Sequence, residues 1–171
     1  GSLEVDATDG EILFVGENTF TGGTSIIGGT VQLGNGGFTG SLGIGNIDNA
    51  GTLVVNQSTD LIVPNVINGS GNLIKMGSNT LTMSVNSSYT GSTTITDGVL
   101  ILSNDTPTIS TSSFIGSGRL RIEPSSSSFS NAFSTGGLVF GSSLSGLTIG
   151  KSTNVSQITL GSPISIAGDI S

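Results

Sequence analysis

Short apolar runs recur along the whole chain. Ile12-Leu13-Phe14-Val15, Thr30-Val31-Gln32-Leu33, Thr52-Leu53-Val54-Val55, Asn72-Leu73-Ile74-Lys75 and Thr80-Leu81-Thr82-Met83 lead the series. Thr93-Thr94-Ile95, Val99-Leu100-Ile101-Leu102, Arg119-Leu120-Arg121-Ile122, Leu138-Val139-Phe140, Leu147-Thr148-Ile149, Ile158-Thr159-Leu160 and Ile164-Ser165-Ile166 continue it. Many alternate apolar with polar, the period of two that turns one face of a strand inward. Each is bounded by Gly, Asn, Asp or Ser, residues that reverse or bend the chain. A helical period of about 3.6 never holds for more than a turn. The pattern predicts an all-β protein.

Composition sharpens that prediction. Gly, Ser, Thr and Asn make up 91 of the 171 residues, a proportion that in isolation suggests disorder. Val, Ile and Leu supply another 44, enough to bury a core, while Ala, Glu, Lys, Arg, Gln and Met together supply only 17. The chain is therefore expected to fold, and to fold without helices.

An internal repeat narrows the architecture. Residues 20–35 align without gaps on residues 89–104, an offset of 69, with identities at Thr21/Thr90, Gly22/Gly91, Thr24/Thr93, Ile26/Ile95, Gly29/Gly98, Leu33/Leu102 and Asn35/Asn104. Three coils of about 23 residues would give that offset, a reasonable coil length for a β-solenoid. Glycines such as Gly29 and Gly98 are expected at tight corners, and inward aliphatics are expected to stack in columns from coil to coil. About seven or eight coils would use the chain. Residues 3–123 read as a solenoid with repeat copies at 12–35 and 69–104, residues 124–135 as a Ser-rich loop or irregular coil, and 136–171 as continuing solenoid. Gly1-Ser2 resembles the remnant of a cleaved tag, so upstream sequence is expected, and Asp169-Ile170-Ser171 reads as the start of a further strand.

The segment Gly69-Ser70-Gly71-Asn72-Leu73-Ile74-Lys75-Met76-Gly77, then Thr80-Leu81-Thr82-Met83, then Tyr89-Thr90-Gly91-Ser92-Thr93-Thr94-Ile95 and Gly98-Val99-Leu100, resembles the autotransporter-associated β-strand repeat. A weaker copy at 12–35 lacks the Gly-x-Leu-x-Lys opening. The resemblance implies a right-handed parallel β-helix within a large secreted or surface-anchored bacterial protein. It implies no particular ligand, since such repeats build stalks beneath different tips.

Chemistry is limited by what the chain lacks. Without His or Cys there is no Ser-His or Cys-His nucleophile and no thiolate metal site. A net charge of −7, with only Lys75, Arg119, Arg121 and Lys151 basic, argues against nucleic acid and anionic membranes, and no apolar stretch is long enough to span a bilayer. Asp48, Asp60, Asp97, Asp105 and Glu123 are candidates for carboxylate hydrolysis of a polysaccharide, although most adjoin turn residues. Glu4, Asp6, Asp9, Glu11 and Glu17 crowd the start of the chain, as a weak cation site or a solvated acidic cap. Gly34-Asn35-Gly36-Gly37 and Gly43-Ile44-Gly45 lack the Lys and the helix of a phosphate loop and read as corners. Lys75 and the Arg119/Arg121 pair offer a grip for an acidic glycan, and Thr93-Thr94-Ile95-Thr96 an outward array for ice or glycan. The expectation is a structural or adhesive stalk segment on the cell surface, not an enzyme, without metal or cofactor. A host or environmental glycan or surface is the expected partner, with end-to-end self-association. A glycan- or ice-binding face is the alternative, and a polysaccharide-degrading enzyme a distant one.

Overall fold

Chain reversals at glycine and asparagine corners cut the sequence into short strands, and every strand ladder they form is parallel. The computed structural model describes residues 1–171. Its sixteen strands are β1 (Leu3–Phe14), β2 (Thr24–Leu33), β3 (Ile47–Asn49), β4 (Thr52–Asn56), β5 (Leu61–Val63), β6 (Ile67–Asn68), β7 (Asn72–Met76), β8 (Thr80–Met83), β9 (Thr93–Ile95), β10 (Val99–Ser103), β11 (Phe114–Gly116), β12 (Arg119–Glu123), β13 (Phe133–Ser134), β14 (Gly146–Ile149), β15 (Ile158–Thr159) and β16 (Asp169–Ile170). The first sheet runs β11-β9-β7-β4-β2, with β1 on the far side of β2 and a side branch from β2 through β3 to β6. The second runs β16-β14-β12-β10-β8-β5, and β13 pairs with β15 in a third. The fold is a parallel β-solenoid, as the alternation and the repeat predict.

Register turns the alternation into a core. In the first sheet Ile12, Val31, Leu53, Leu73, Thr93 and Phe114 stack one above another, and Phe140 joins through a single bridge, its ring stacked on that of Phe114 at 6.0 Å. In the second, Leu61, Leu81, Leu100, Leu120, Leu147 and Ile170 form a matching column. Leu81, Leu100, Leu120 and Leu147 are all but inaccessible, and each buried aliphatic of this size contributes about 1.5–3 kcal/mol. The two columns face each other within one continuous core of 22 buried apolar residues. With the last coil, which carries β15 and β16, the chain makes about eight turns.

The coils are shorter than the sequence repeat implies, and the internal repeat is not a whole number of turns. Val31 reaches Thr93 in three rungs, through Leu53 and Leu73, whereas its sequence counterpart Leu100 lies in the second sheet. Leu33 likewise leads through Val55 and Lys75 to Ile95, not to Leu102. What repeats is a local unit: strand, left-handed glycine, strand. Gly29 (φ 73°) bends β2 within the first sheet, and Gly98 (φ 66°) turns the chain from β9 to β10 between sheets. Such glycines stand both within a sheet and between sheets, so one motif serves different corners with the same alternation of burial.

Two coils depart from the regular pattern. The step from Arg119 to Gly146 is the longest in its column, because it contains the Ser-rich run after Pro124. That run is tied down: Asp105 accepts hydrogen bonds from Ser125 Oγ (2.9 Å) and the Ser126 amide (2.8 Å), and the buried Phe129 and Phe133 rings pack at 5.3 Å. Near the start, residues 34–46 contribute no strand to the second sheet, which begins only at β5. Leu138-Val139 and Ile164-Ser165-Ile166, predicted as strands, lie outside any ladder.

Candidate functional site

Lys75 is the most unusual side chain in the molecule. Inward positions on β7 are Leu73 and Lys75, so the lysine enters the column between Val55 and Ile95 and is fully buried. Its ammonium donates to the carbonyls of Met76 (3.0 Å), Gly77 (2.6 Å) and Asp97 (3.2 Å) and to Asn79 Oδ1 (2.9 Å). Asn79 in turn donates to the Thr59 carbonyl at 2.6 Å. The apolar stem fills the column while the head collects carbonyls at the corner between β7 and β8, tying three successive coils. Desolvation pushes the Lys75 pKa down, and the nearby carboxylates of Asp97 and Asp60 offset part of that. The expectation of an outward lysine gripping a glycan is therefore corrected: the alternation of β7 places it inside.

Four of the five candidate acids are tied into the fold. Asp60 accepts from the Thr80 amide (2.7 Å), Asp97 from the Gly98 amide (2.7 Å), and Asp105 from the Ser125/Ser126 pair. Those bonds, led by the Ser126 amide, hold the Asp105 carboxyl below its usual range. Glu123 pairs with Arg121 at 2.5 Å. Asp48 stands exposed on the outer face of β3, between Ser25 and Asn68 of neighbouring coils. In the first coil Glu4, Asp9 and Glu11 are exposed, Asp6 caps the Thr8 hydroxyl (2.7 Å), and Glu17 accepts from the Gly40 amide (3.1 Å). Nowhere do three such groups gather in a geometry suited to a metal ion.

The basic and threonine faces also resolve. Arg119 and Arg121 share the outer face of β12, as their spacing predicts. The Thr93-Thr94-Ile95-Thr96 array does not form: Thr93 points inward and is completely buried, while outward Thr94 stands between Ile74 and Ile115. Thr93 Oγ1 lies 2.7 Å from the Tyr89 hydroxyl and 3.0 Å from Thr111 Oγ1, which donates to the Gly91 carbonyl at 2.5 Å. Burial pushes the Tyr89 phenol up to about 12, partly countered by these hydrogen bonds.

Sequence reasoning missed the inward amides. Asn49, Gln57, Asn65 and Asn79 are buried, and each donates to a carbonyl of a neighbouring coil: Asn72, Gly40, Gly43 and Gly45, and Thr59 respectively. The available signal was their place in the alternation, two residues from an inward aliphatic, where a surface turn residue would not fall.

A parallel solenoid whose coils are tied through polar corners is the architecture of a repeat scaffold. Residues 10–33 and 73–102 match the passenger-associated-transport-repeat family. Together with the solenoid, they fit a passenger segment of an autotransporter, a class of exported surface protein. The chain is also 41% identical over 76 residues to the uncharacterized protein YuaQ of Escherichia coli strain K12, across 44% of this chain and 6% of that protein. No solved structure matches.

Proposed function

We propose that this chain is a load-bearing, adhesive stalk segment of a large exported bacterial surface protein, without catalysis of its own. The observation that carries the proposal is the way its polar chemistry is used. Asp60 and Asp105 hold one coil to the next, Asp97 closes its own corner on the Gly98 amide, Glu123 pairs with Arg121 on the same strand, and Lys75 ties its coil to the Asp97 carbonyl of the next. A host or environmental glycan surface is the partner class that fits an outer face rich in Ser, Thr and Asn. In isolation the chain is expected to associate end to end through the open edge of β16.

A stalk tolerates the loss of a rung, and a site does not. Residues 99–118 form one coil, since Val99 stacks on Arg119. Their deletion lets Leu120 take the place of Leu100 on Leu81. The shortened protein should fold cooperatively, resist protease as before except in the Ser-rich run that loses Asp105, and keep any adhesion to a glycan-coated surface. Removing 99–108 alone puts the columns out of phase and should expose the chain to protease. Turnover of a polysaccharide by the intact chain, lost in Asp60→Asn, would overturn the proposal.

A further inference from the structure

Where the second sheet runs out, the interior opens. β5 is the last strand of that sheet, and the stretch 40–44 of the preceding coil makes no ladder with it. Between them lies a cavity of ≈320 Å³. Leu53, Leu73, Leu81 and Met83 form its depths, and the exposed Ile44 and Ile62 stand at its mouth. Glu17 is the only charged residue in its wall.

Two observations indicate what fits. The aliphatic side chains at its depths carry no polar group, and the buried Asn65 beside them already spends its amide on the Gly43 and Gly45 carbonyls. An apolar hollow takes up hydrocarbon in place of loosely held water, about 150 Å³ sufficing for benzene. The second observation is charge, since a carboxylate at the rim disfavours an anionic head and favours a cationic one. We propose that this cavity is a binding site for a short alkyl chain with a cationic or neutral head, the chain lying against Leu53, Leu73 and Leu81 and the head beside Glu17. A second hollow, beside Tyr89, measures ≈30 Å³ and has room for no more than a water molecule.

The chain has two methionines, Met83 on the cavity wall and Met76 on the outer side of β7. With both methyl groups carbon-13 labelled, n-hexylamine, n-hexanol and n-hexanoate are titrated into the whole chain. A saturable shift of the Met83 methyl alone is expected, with hexanoate about tenfold weaker than hexylamine. Glu17→Gln should narrow the gap between those two. Val63→Phe, which fills the hollow from the inner face of β5, should abolish the Met83 response, and Leu61→Phe serves if that variant does not fold. The proposal is overturned by an unresponsive Met83, by equal shifts at both methionines, by hexanoate binding as well as hexylamine, or by a response that survives the filled cavity.

Discussion

The coils between residues 52 and 123 and those before residue 50 are made from similar residues but are not equally regular. In the later coils each turn lays a strand in both sheets, and inward leucines recur at a nearly constant interval, as at Leu61, Leu81, Leu100 and Leu120. In the earlier coils the second sheet is missing. The stretch beneath β5 is Gly40-Ser41-Leu42-Gly43, with one aliphatic between glycines, where later coils have Thr80-Leu81-Thr82-Met83 or Val99-Leu100-Ile101-Leu102. Leu42 still reaches the core, but glycine weakens strands and supplies no side chain to the column. Side-chain ties replace the ladder there: Gln57 donates to the Gly40 carbonyl, Asn65 to Gly43 and Gly45, and Asn18 to Ser41. The difference teaches that an inward leucine places a segment inside the solenoid, while its β-branched and polar neighbours decide whether that segment becomes a rung.

The sharpest test of this contrast is Lys75. Lys75→Ala removes the stem from its column and leaves Asn79 and three carbonyls without their donor, so a loss of about 3–5 kcal/mol is expected in urea unfolding. Leu42→Ala, at the edge of the open cavity, should lose less, about 2 kcal/mol, because the site is already loosely packed. Equal losses would erase the distinction between the two regions. Lys75→Met keeps the volume and should recover roughly half of the alanine loss. It also reports on charge. Because burial lowers the Lys75 pKa from 10.5, the unfolded chain binds more protons just below pH 10.5, and stability contributed by this group rises with pH there. Lys75→Met should lack that rise.

Next in size is Gly98→Ala. The left-handed φ of 66° strains any side chain, and a Cβ would meet the Asn79 and Gly77 carbonyl oxygens. The expected loss is about 2–3 kcal/mol. Gly37→Ala in the strandless loop has ordinary φ and only the Asn35 side chain nearby, and should change stability by less than about 0.5 kcal/mol. Gly98 also shows what was legible in the sequence. Alternation located most inward residues, and glycine pairs located corners, because both are local properties. The phase of one coil against another was not legible: the spacing of the two repeat copies suggested three equal turns, whereas three rungs carry Val31 only as far as Thr93, short of Leu100. Coil length depends on how many residues each corner consumes, and one strand–glycine–strand motif fits corners of different spans. Lys75 was legible in position but not in role, since charge suggests the surface while the period of β7 points it inward.

Tyr89 offers a smaller effect with a clean readout, being the single tyrosine in a chain without tryptophan. Tyr89→Phe loses the hydrogen bond to Thr93 and leaves that buried hydroxyl with Thr111 alone, at a cost of about 1 kcal/mol. In the wild type, ultraviolet titration should find the phenol ionising at about 12 in the folded chain, against 10.0 when unfolded. The folded pKa is the higher one, so the unfolded state binds fewer protons between those values. The phenol's contribution is complete below pH 10 and is lost as the pH climbs to about 12. Ionisation near 10 in the folded protein would place Tyr89 outside the core.

The smallest expected effect lies on the outer face, where the later coils carry their few charges. Arg121 stands between Ile101 and Thr148 in its ladder, 40% exposed, and reaches back to a Glu123 carboxylate that is only 11% exposed. Because its arginine end stands open to water, the pair is worth about 0.5 kcal/mol and should weaken in about 1 M salt, where screening acts over roughly 3 Å. Arg121→Ala should therefore cost slightly more than that, because its stem also covers Ile101. Arg119, whose guanidinium lies over Gly146 and has no carboxylate partner, should cost less on the same substitution. If instead either arginine proved as costly as Tyr89→Phe and the cost persisted in salt, the outer face would be holding coils together by packing. The contrast between an inner column that sets stability and an outer surface free to vary would then fail.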